Sequence, residues 1–147
     1  MGAVRATASL SPYLKELATC AVAFLAACEF EVVRHTPAFL REGGSDEKLE
    51  RLRDVERAAR DDRVFDGAER AVLRLALEMT REVVVAPETF AEARRWLGDD
   101  ESMLELVAVV ATYNMTTRLL AALDVETHGD DFGTSADRRA GPDGPSA

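Results

Sequence analysis

Three side chains capable of chemistry crowd into one short stretch, Cys28-Glu29-Phe30-Glu31-Val32-Val33-Arg34-His35. Cys28, Glu31 and His35 step by three and then four residues, so on a helix they share one face. A thiol beside a base can act as a nucleophile, and a carboxylate next to an imidazole can pass protons near neutral pH. The same groups would also suit proton abstraction beside a carbonyl, or protonation of the carbanion left by a decarboxylation. A second carboxylate, Glu16, lies twelve residues before Cys28. On one continuous helix it would stand about 18 Å away, at ~1.5 Å of rise per residue. Glu16 therefore joins the group only if the chain bends near Ala26-Ala27 and two helices fold together.

Blander readings of the same residues stand beside these. A cysteine after two alanines is commonly a small buried hydrophobe. Glu31 and His35 also make an ordinary i,i+4 pair, worth roughly 0.2–0.5 kcal/mol on a helix surface. Either Glu29 or Glu31 is the solvent-facing acid, depending on where the helix starts. A metal site from Glu16, Glu31 and His35 matches no strong ligand spacing. No metal and no cofactor is expected.

The elements that must position these groups read as helices. Ser11-Pro12 is a cap followed by proline at the first helical position, opening a helix over Pro12 to about Ala26. Its later half is apolar nearly all round, which implies burial on several sides. A second helix runs from Cys28 to about Arg41, contains Pro37, and stops at Gly43-Gly44. Ser45-Asp46-Glu47 opens a third, charged helix to roughly Arg60, and a fourth covers about Ala68–Arg81. The three valines at 83–85 read as an extended linker, Pro87 opens a fifth helix to Trp96, and Ser102–Leu123 is the sixth and longest. The expected fold class is all-α, with about six helices in one domain over 11–125. Residues 1–10 read as a flexible arm and 126–147, rich in Gly, Asp, Ser and Pro, as a disordered acidic tail.

Composition narrows the partners. The 147 residues carry a net charge of −9, and 47% are hydrophobic, enough for one core. An acidic chain without a basic stripe argues against nucleic acid. The arginines at 51, 53, 57, 60 and 63 alternate with Glu50, Asp54, Glu56, Asp61 and Asp62, the pattern of a solvated helix face. Cys20 and Cys28 on one helix would lie about 12 Å apart, too far for a disulfide, and a reducing cytoplasm fits. The apolar run Leu17–Cys28 is too short for a membrane span. Leu25-Ala26-Ala27-Cys28 also matches the site at which bacterial lipoproteins are cleaved and lipidated on cysteine. Glu16 sits where such a leader needs positive charge, so cytoplasm remains the main expectation. Met103–Leu123 carries Glu105, Asn114 and Arg118 and reads as a buried helix.

The order Glu16, Cys28, Glu31, His35 resembles the carboxymuconolactone decarboxylase superfamily, which includes the alkylhydroperoxidase AhpD. In the peroxidase branch a glutamate precedes Cys-x-x-Cys and a later histidine. Glu16, Cys28 and His35 fall on the glutamate, first cysteine and histidine, while Glu31 replaces the second cysteine. Cys28-Glu29-Phe30-Glu31…His35-Thr36-Pro37 is similar to the Cys-Glu-Tyr-Glu-Trp…His-x-Pro form of one large subfamily, with Val32 in place of the tryptophan. Leu14-Lys15-Glu16-Leu17, Phe65–Leu73, Glu78-Met79-Thr80-Arg81 and Tyr113-Asn114-Met115…Arg118 extend the likeness over about 11–126. Ala27 departs from the glycine common before the cysteine.

The resemblance implies an AhpD-like helical fold, a homo-oligomer (trimer or hexamer), a small-molecule substrate and catalytic positions Glu16, Cys28, Glu31 and His35. It implies a thiol hydroperoxidase in which Cys28 is the nucleophile and Glu16–His35 the proton relay. Because the second cysteine is absent, the cycle that closes a Cys-x-x-Cys disulfide cannot run, and an external thiol must regenerate Cys28. Two alternatives stay open. One is an acid/base enzyme, a decarboxylase or a proton transferase on a small carbonyl or lactone acid, using Glu31 and His35. For that reading Arg34 flanks the site and Arg118 is the other basic candidate for an anionic substrate. The other alternative is a non-catalytic oligomeric scaffold.

Overall fold

The computed structural model describes residues 10–125. Most of the expected arm, residues 1–9, and the expected tail, 126–147, lie outside the described residues. All regular structure among the described residues is helical: α1 Pro12–Leu25, α2 Glu29–Arg41, α3 Asp46–Leu52, α4 Val55–Ala58, α5 Gly67–Arg81, α6 Pro87–Leu97 and α7 Asp100–Ala122. The all-α expectation holds, with seven helices where about six were read.

The extra helix has a local cause. The charged helix expected over 45–60 divides because the Asp54 side chain accepts the Arg57 N–H at 3.0 Å and caps a new helix, α4. A short acid inside a helical run competes for backbone donors in this way. Asp66 likewise caps α5, receiving the Glu69 N–H while Glu69 returns a carboxylate oxygen to the Asp66 N–H, a reciprocal capping box. Asp99 caps α7, accepting the Ser102 N–H at 2.6 Å, so the helix begins at Asp100, two residues before the expected Ser102. The arginines of α3 and α4 pair with acids at the surface, Arg51 with Asp61, Arg53 with Glu50 and Arg60 with Glu56.

Helix α1 is the centre of the molecule. Leu17 to Ala23 are all buried, without a break, because α2, α5 and α7 pack around it. Leu52, Phe65, Leu73, Leu75, Leu106 and Val110 complete the core from the surrounding helices. Leu10, the last residue of the expected arm, is fully buried and donates its N–H to Glu105 at 3.2 Å. A second correction concerns α7. It is buried through Met103, Leu106, Val110 and Thr117, but Leu104, Met115 and Leu119 on its other side are 70%, 59% and 53% exposed. The helix expected to be buried is so on one side only, the side that meets α1, α5 and α6.

A buried polar knot ties three helices together. Glu69, only 3% exposed, accepts the Tyr13 hydroxyl and the Lys48 ammonium on one oxygen, and Lys48 also reaches the Tyr13 oxygen at 3.1 Å. The Tyr13 ring stacks on Phe39 with centroids 5.5 Å apart. α1, α2, α3 and α5 are thereby fixed to one another at a single point.

The reversal between α1 and α2 is built on three residues. Ala26 caps α1, Ala27 turns left-handed at φ 49°, and Cys28 closes the turn. The Cys28 N–H donates to the Ala23 carbonyl at 2.9 Å and the Ala27 N–H to that of Phe24 at 3.1 Å. This is the Schellman arrangement, in which glycine is the usual left-handed residue. α2 ends the same way at Gly43 and Gly44, with glycine at φ 110° and bonds back to Leu40 and Phe39. At Ala27 the Cβ makes the turn strained. Replacing Ala27→Gly should therefore raise stability by roughly 0.5–1 kcal/mol despite glycine's looser unfolded chain. An upward shift of the urea midpoint at unchanged slope is the expected reading.

Candidate functional site

The reversal sets α2 alongside α1, and with it His35 opposite Glu16. Nineteen residues apart in sequence, they meet through His35 Nδ1 and Glu16 Oε2 at 2.8 Å. The other ring nitrogen, Nε2, lies 3.2 Å from Glu31 Oε2 one turn earlier on α2. The imidazole is thus held between two carboxylates. Its side chain is 13% exposed, that of Glu16 23% and that of Glu31 5%. Helical register settles which acid is inside: Glu31 is buried and Glu29 exposed.

This trio has an unusual feature in its hydrogen bonding. Glu31 Oε2 is sealed from solvent yet has no hydrogen-bond partner of good geometry, in spite of its closeness to the ring. Buried carboxylate oxygens are almost always satisfied, and an orphan one is a frequent mark of a functional group. A neutral imidazole has a single N–H and can donate to only one of its two neighbours. In that form His35 therefore donates to one of the two carboxylates and leaves the other without its proton.

Cys28 occupies the junction. It is the last residue of the reversal and the N-cap of α2, with its carbonyl accepting the Val32 N–H at 3.1 Å. Its side chain makes no capping bond and is half-buried. The thiol stands at the helix end that carries free N–H groups, where negative charge is favoured. Cys20 is a different case. It is wholly enclosed in α1, and burial, helped by the nearby charge of Glu16, pushes its thiol up to about 12. Such a thiol is inert as a nucleophile or resolving partner. Both cysteines are free.

Tyr113 is part of the site although the sequence reading gave it no role there. From α7 its ring meets His35 edge-on, centroids 4.9 Å apart and planes at 86°. The Tyr113 hydroxyl is pushed up first by burial and then by Glu16 and Glu31, with Thr19 and Arg34 opposing. The signal available was its place in the Tyr113-Asn114-Met115…Arg118 resemblance, but spacing cannot show that α7 crosses α1 at this level. Arg118 itself is not at the site. Its guanidinium is engaged by Asn114 at 2.5 Å and by the Thr80 carbonyl at 3.4 Å. All four residues expected to form the site, Glu16, Cys28, Glu31 and His35, thus lie on α1, the reversal and α2. Among the described residues, no group of three His, Cys, Asp or Glu side chains is arranged to hold a metal ion.

The sequence model of the Carboxymuconolactone decarboxylase family matches residues 1–78. That span contains the reversal, Cys28 and both carboxylates with His35, and stops inside α5, before Tyr113. No curated protein matches the chain.

Tyr113 and Tyr13 are the two tyrosines of the chain, and both are shifted upward, Tyr13 by burial and then by Glu69. A raised folded value means that their contribution to stability is complete below about pH 10, where a free tyrosine is half ionised. It is lost as pH rises through the folded values. Ultraviolet titration should show less phenolate at pH 10 in the folded protein than in the urea-unfolded protein. A tyrosine titrating near 10 with helicity intact contradicts this environment.

Proposed function

The chain belongs to the carboxymuconolactone decarboxylase family, and from that premise we propose that it is an AhpD-like thiol hydroperoxidase with Cys28 as nucleophile. The observation that carries this reading is the 2.8 Å bond between Glu16 and His35 across the reversal that seats Cys28. In the proposed cycle the Cys28 thiolate attacks the terminal oxygen of a hydroperoxide. The S–O bond forms as the O–O bond breaks, and the departing alkoxide takes a proton through His35 and Glu16. Cys28 is then a sulfenic acid, and the hydroperoxide has become an alcohol. One external thiol displaces water to give a mixed disulfide, and a second releases Cys28 as thiol, leaving the external pair oxidised. Two electrons thus pass from thiols to peroxide. A neutral hydroperoxide suits a site bordered by two carboxylates, which would repel an anion.

A second reading rests on the orphan oxygen of Glu31. A buried carboxyl with an unfilled valence beside an imidazole is suited to taking or giving a proton at carbon, and Cys28 would then be incidental.

The test is consumption of an alkyl hydroperoxide with dithiothreitol as reductant, alongside intact-mass analysis of the thiols. Turnover should vanish in Cys28→Ser, and a sulfenic-acid trap should label Cys28 and leave Cys20 untouched. Glu16→Gln and His35→Gln should each lower turnover by roughly 100-fold or more, as loss of a proton-transfer group does. No turnover together with an inert Cys28 overturns the hydroperoxidase. Proton exchange on a carbonyl acid that survives Cys28→Ser but not Glu31→Gln would then establish the second reading.

A further inference from the structure

The hydroperoxidase cycle needs a proton at the oxygen that departs, and the relay by itself turns none towards it. Each nitrogen of the His35 ring already faces a carboxylate, Nδ1 that of Glu16 at 2.8 Å and Nε2 that of Glu31 at 3.2 Å. An imidazole has no further nitrogen to offer a substrate, and an ionised carboxylate has only acceptors to set against a growing negative charge. The group that meets that charge must lie outside Glu16, Glu31 and His35.

Tyr113 is placed to meet it. Its ring stands against His35, with centroids 4.9 Å apart. Its hydroxyl has Thr19 as a hydrogen-bonding neighbour, and the charges of Glu16, Glu31 and Arg34 act on it. These neighbours fix the direction in which the ring runs. α2 returns along α1 after the reversal, so the Glu16–His35 pair marks one level of the hairpin. Thr19 on α1 and Glu31 on α2 each lie about one turn nearer the reversal, where Cys28 sits. A ring that touches His35 and carries its hydroxyl beside Thr19 is therefore aimed from the relay towards the thiol. Thr19 gives its own proton to the Lys15 carbonyl at 2.9 Å, so the phenol keeps a proton to donate. Burial first, and then Glu16 and Glu31, push the phenol up, which holds that proton on the oxygen at neutral pH.

We propose that Tyr113 is a further catalytic residue, its hydroxyl handing the departing alkoxide its proton. The inference rests on the hydroperoxidase reading, and it goes beyond the family match, which ends before α7. The Cys28 thiol first gives its proton to the carboxylate–imidazole group. The thiolate then attacks the terminal oxygen of the hydroperoxide. The S–O bond forms, the O–O bond breaks, and its electron pair leaves on the alkoxide oxygen. That oxygen takes the Tyr113 proton and departs as an alcohol. The phenolate recovers a proton from the carboxylate–imidazole group, the one that Cys28 released, so the protons balance. An alkoxide is a far stronger base than a phenolate, and the transfer runs downhill.

Tyr113→Phe tests the proposal, because it removes the oxygen and leaves a ring against His35. Oxidation of Cys28 is timed by intact mass, without reductant, using ethyl hydroperoxide and peracetic acid, which are alike in size. The first must release an alkoxide, which needs a proton, whereas the second releases acetate, which does not. Tyr113→Phe should slow the reaction with ethyl hydroperoxide by roughly 10-fold or more relative to that with the peracid, as loss of a general acid does. Because the reading is a ratio taken on one sample, loss of some material to misfolding leaves it decisive. A tyrosine that only supports the fold slows both oxidants alike. Equal slowing, or none, overturns the proposal while Cys28 still reacts and the hydroperoxidase stands. A wild-type Cys28 inert towards both oxidants overturns the hydroperoxidase, and the role of Tyr113 with it.

Discussion

The geometry of the site depends on a turn of three residues at the end of α1. Ala26, Ala27 and Cys28 reverse the chain in the shortest space a helix allows, through two bonds back to Ala23 and Phe24. Without that reversal Glu16 and His35, nineteen residues apart, would stand about 28 Å from one another on one rod at ~1.5 Å of rise per residue. With it, α2 returns along α1 and His35 reaches Glu16 at 2.8 Å. Cys28 belongs to both elements, closing the end of the first helix and capping the start of the second. A left-handed alanine is an unfavourable way to make this turn. It is sustained by what the turn permits, the enclosure of Leu17 to Ala23 by α2, α5 and α7. Tertiary burial outweighs a local cost on the order of 1–2 kcal/mol.

Two buried glutamates show how differently the same side chain is used. Glu69 is fully answered: tyrosine, lysine and a backbone N–H all donate to it, and it joins helices that are distant in sequence. Its charge is neutralised where it stands, which makes it a structural fixture. Glu31 is buried just as deeply, but it has one histidine beside it and an oxygen with no well-formed bond. That histidine is shared with Glu16. A fold optimised for stability alone would leave no such group inside. The imbalance involves Glu16, Glu31 and His35, of which Glu31 and His35 follow Cys28 at helical spacing on α2.

Much of this was readable before any coordinates. The spacing of Cys28, Glu31 and His35 placed them on one helical face, and Ser11-Pro12 and Gly43-Gly44 marked where two helices begin and end. Distance showed that Glu16 could join Cys28, Glu31 and His35 only through a bend at Ala26-Ala27. Other features were hidden for specific reasons. Asp54 looks like one more acid on a charged helix, and only its bond to the Arg57 N–H makes it a break. Glu29 and Glu31 are indistinguishable until the first residue of α2 is known, because a shift of one residue turns each by about 100°. Tyr113 reaches His35 across a gap of 78 positions, a contact set by how α7 crosses α1 and by nothing local. The apolar composition of α7 was legible, but its meaning was not. A helix apolar all round usually implies burial all round.

The two sides of α7 have different surroundings. Its inner side, through Met103, Leu106, Val110 and Thr117, is anchored in the core, and Tyr113 on the same helix supplies the edge of the ring pair at His35. Its outer side leaves Leu104, Met115 and Leu119 exposed. Composition alone cannot separate these sides, since both carry leucine and methionine. The register does, because the inner and outer residues interleave along the same 23 positions and point in nearly opposite directions. Anchored in the core on its inner side, α7 is the support that holds the Tyr113 ring against His35.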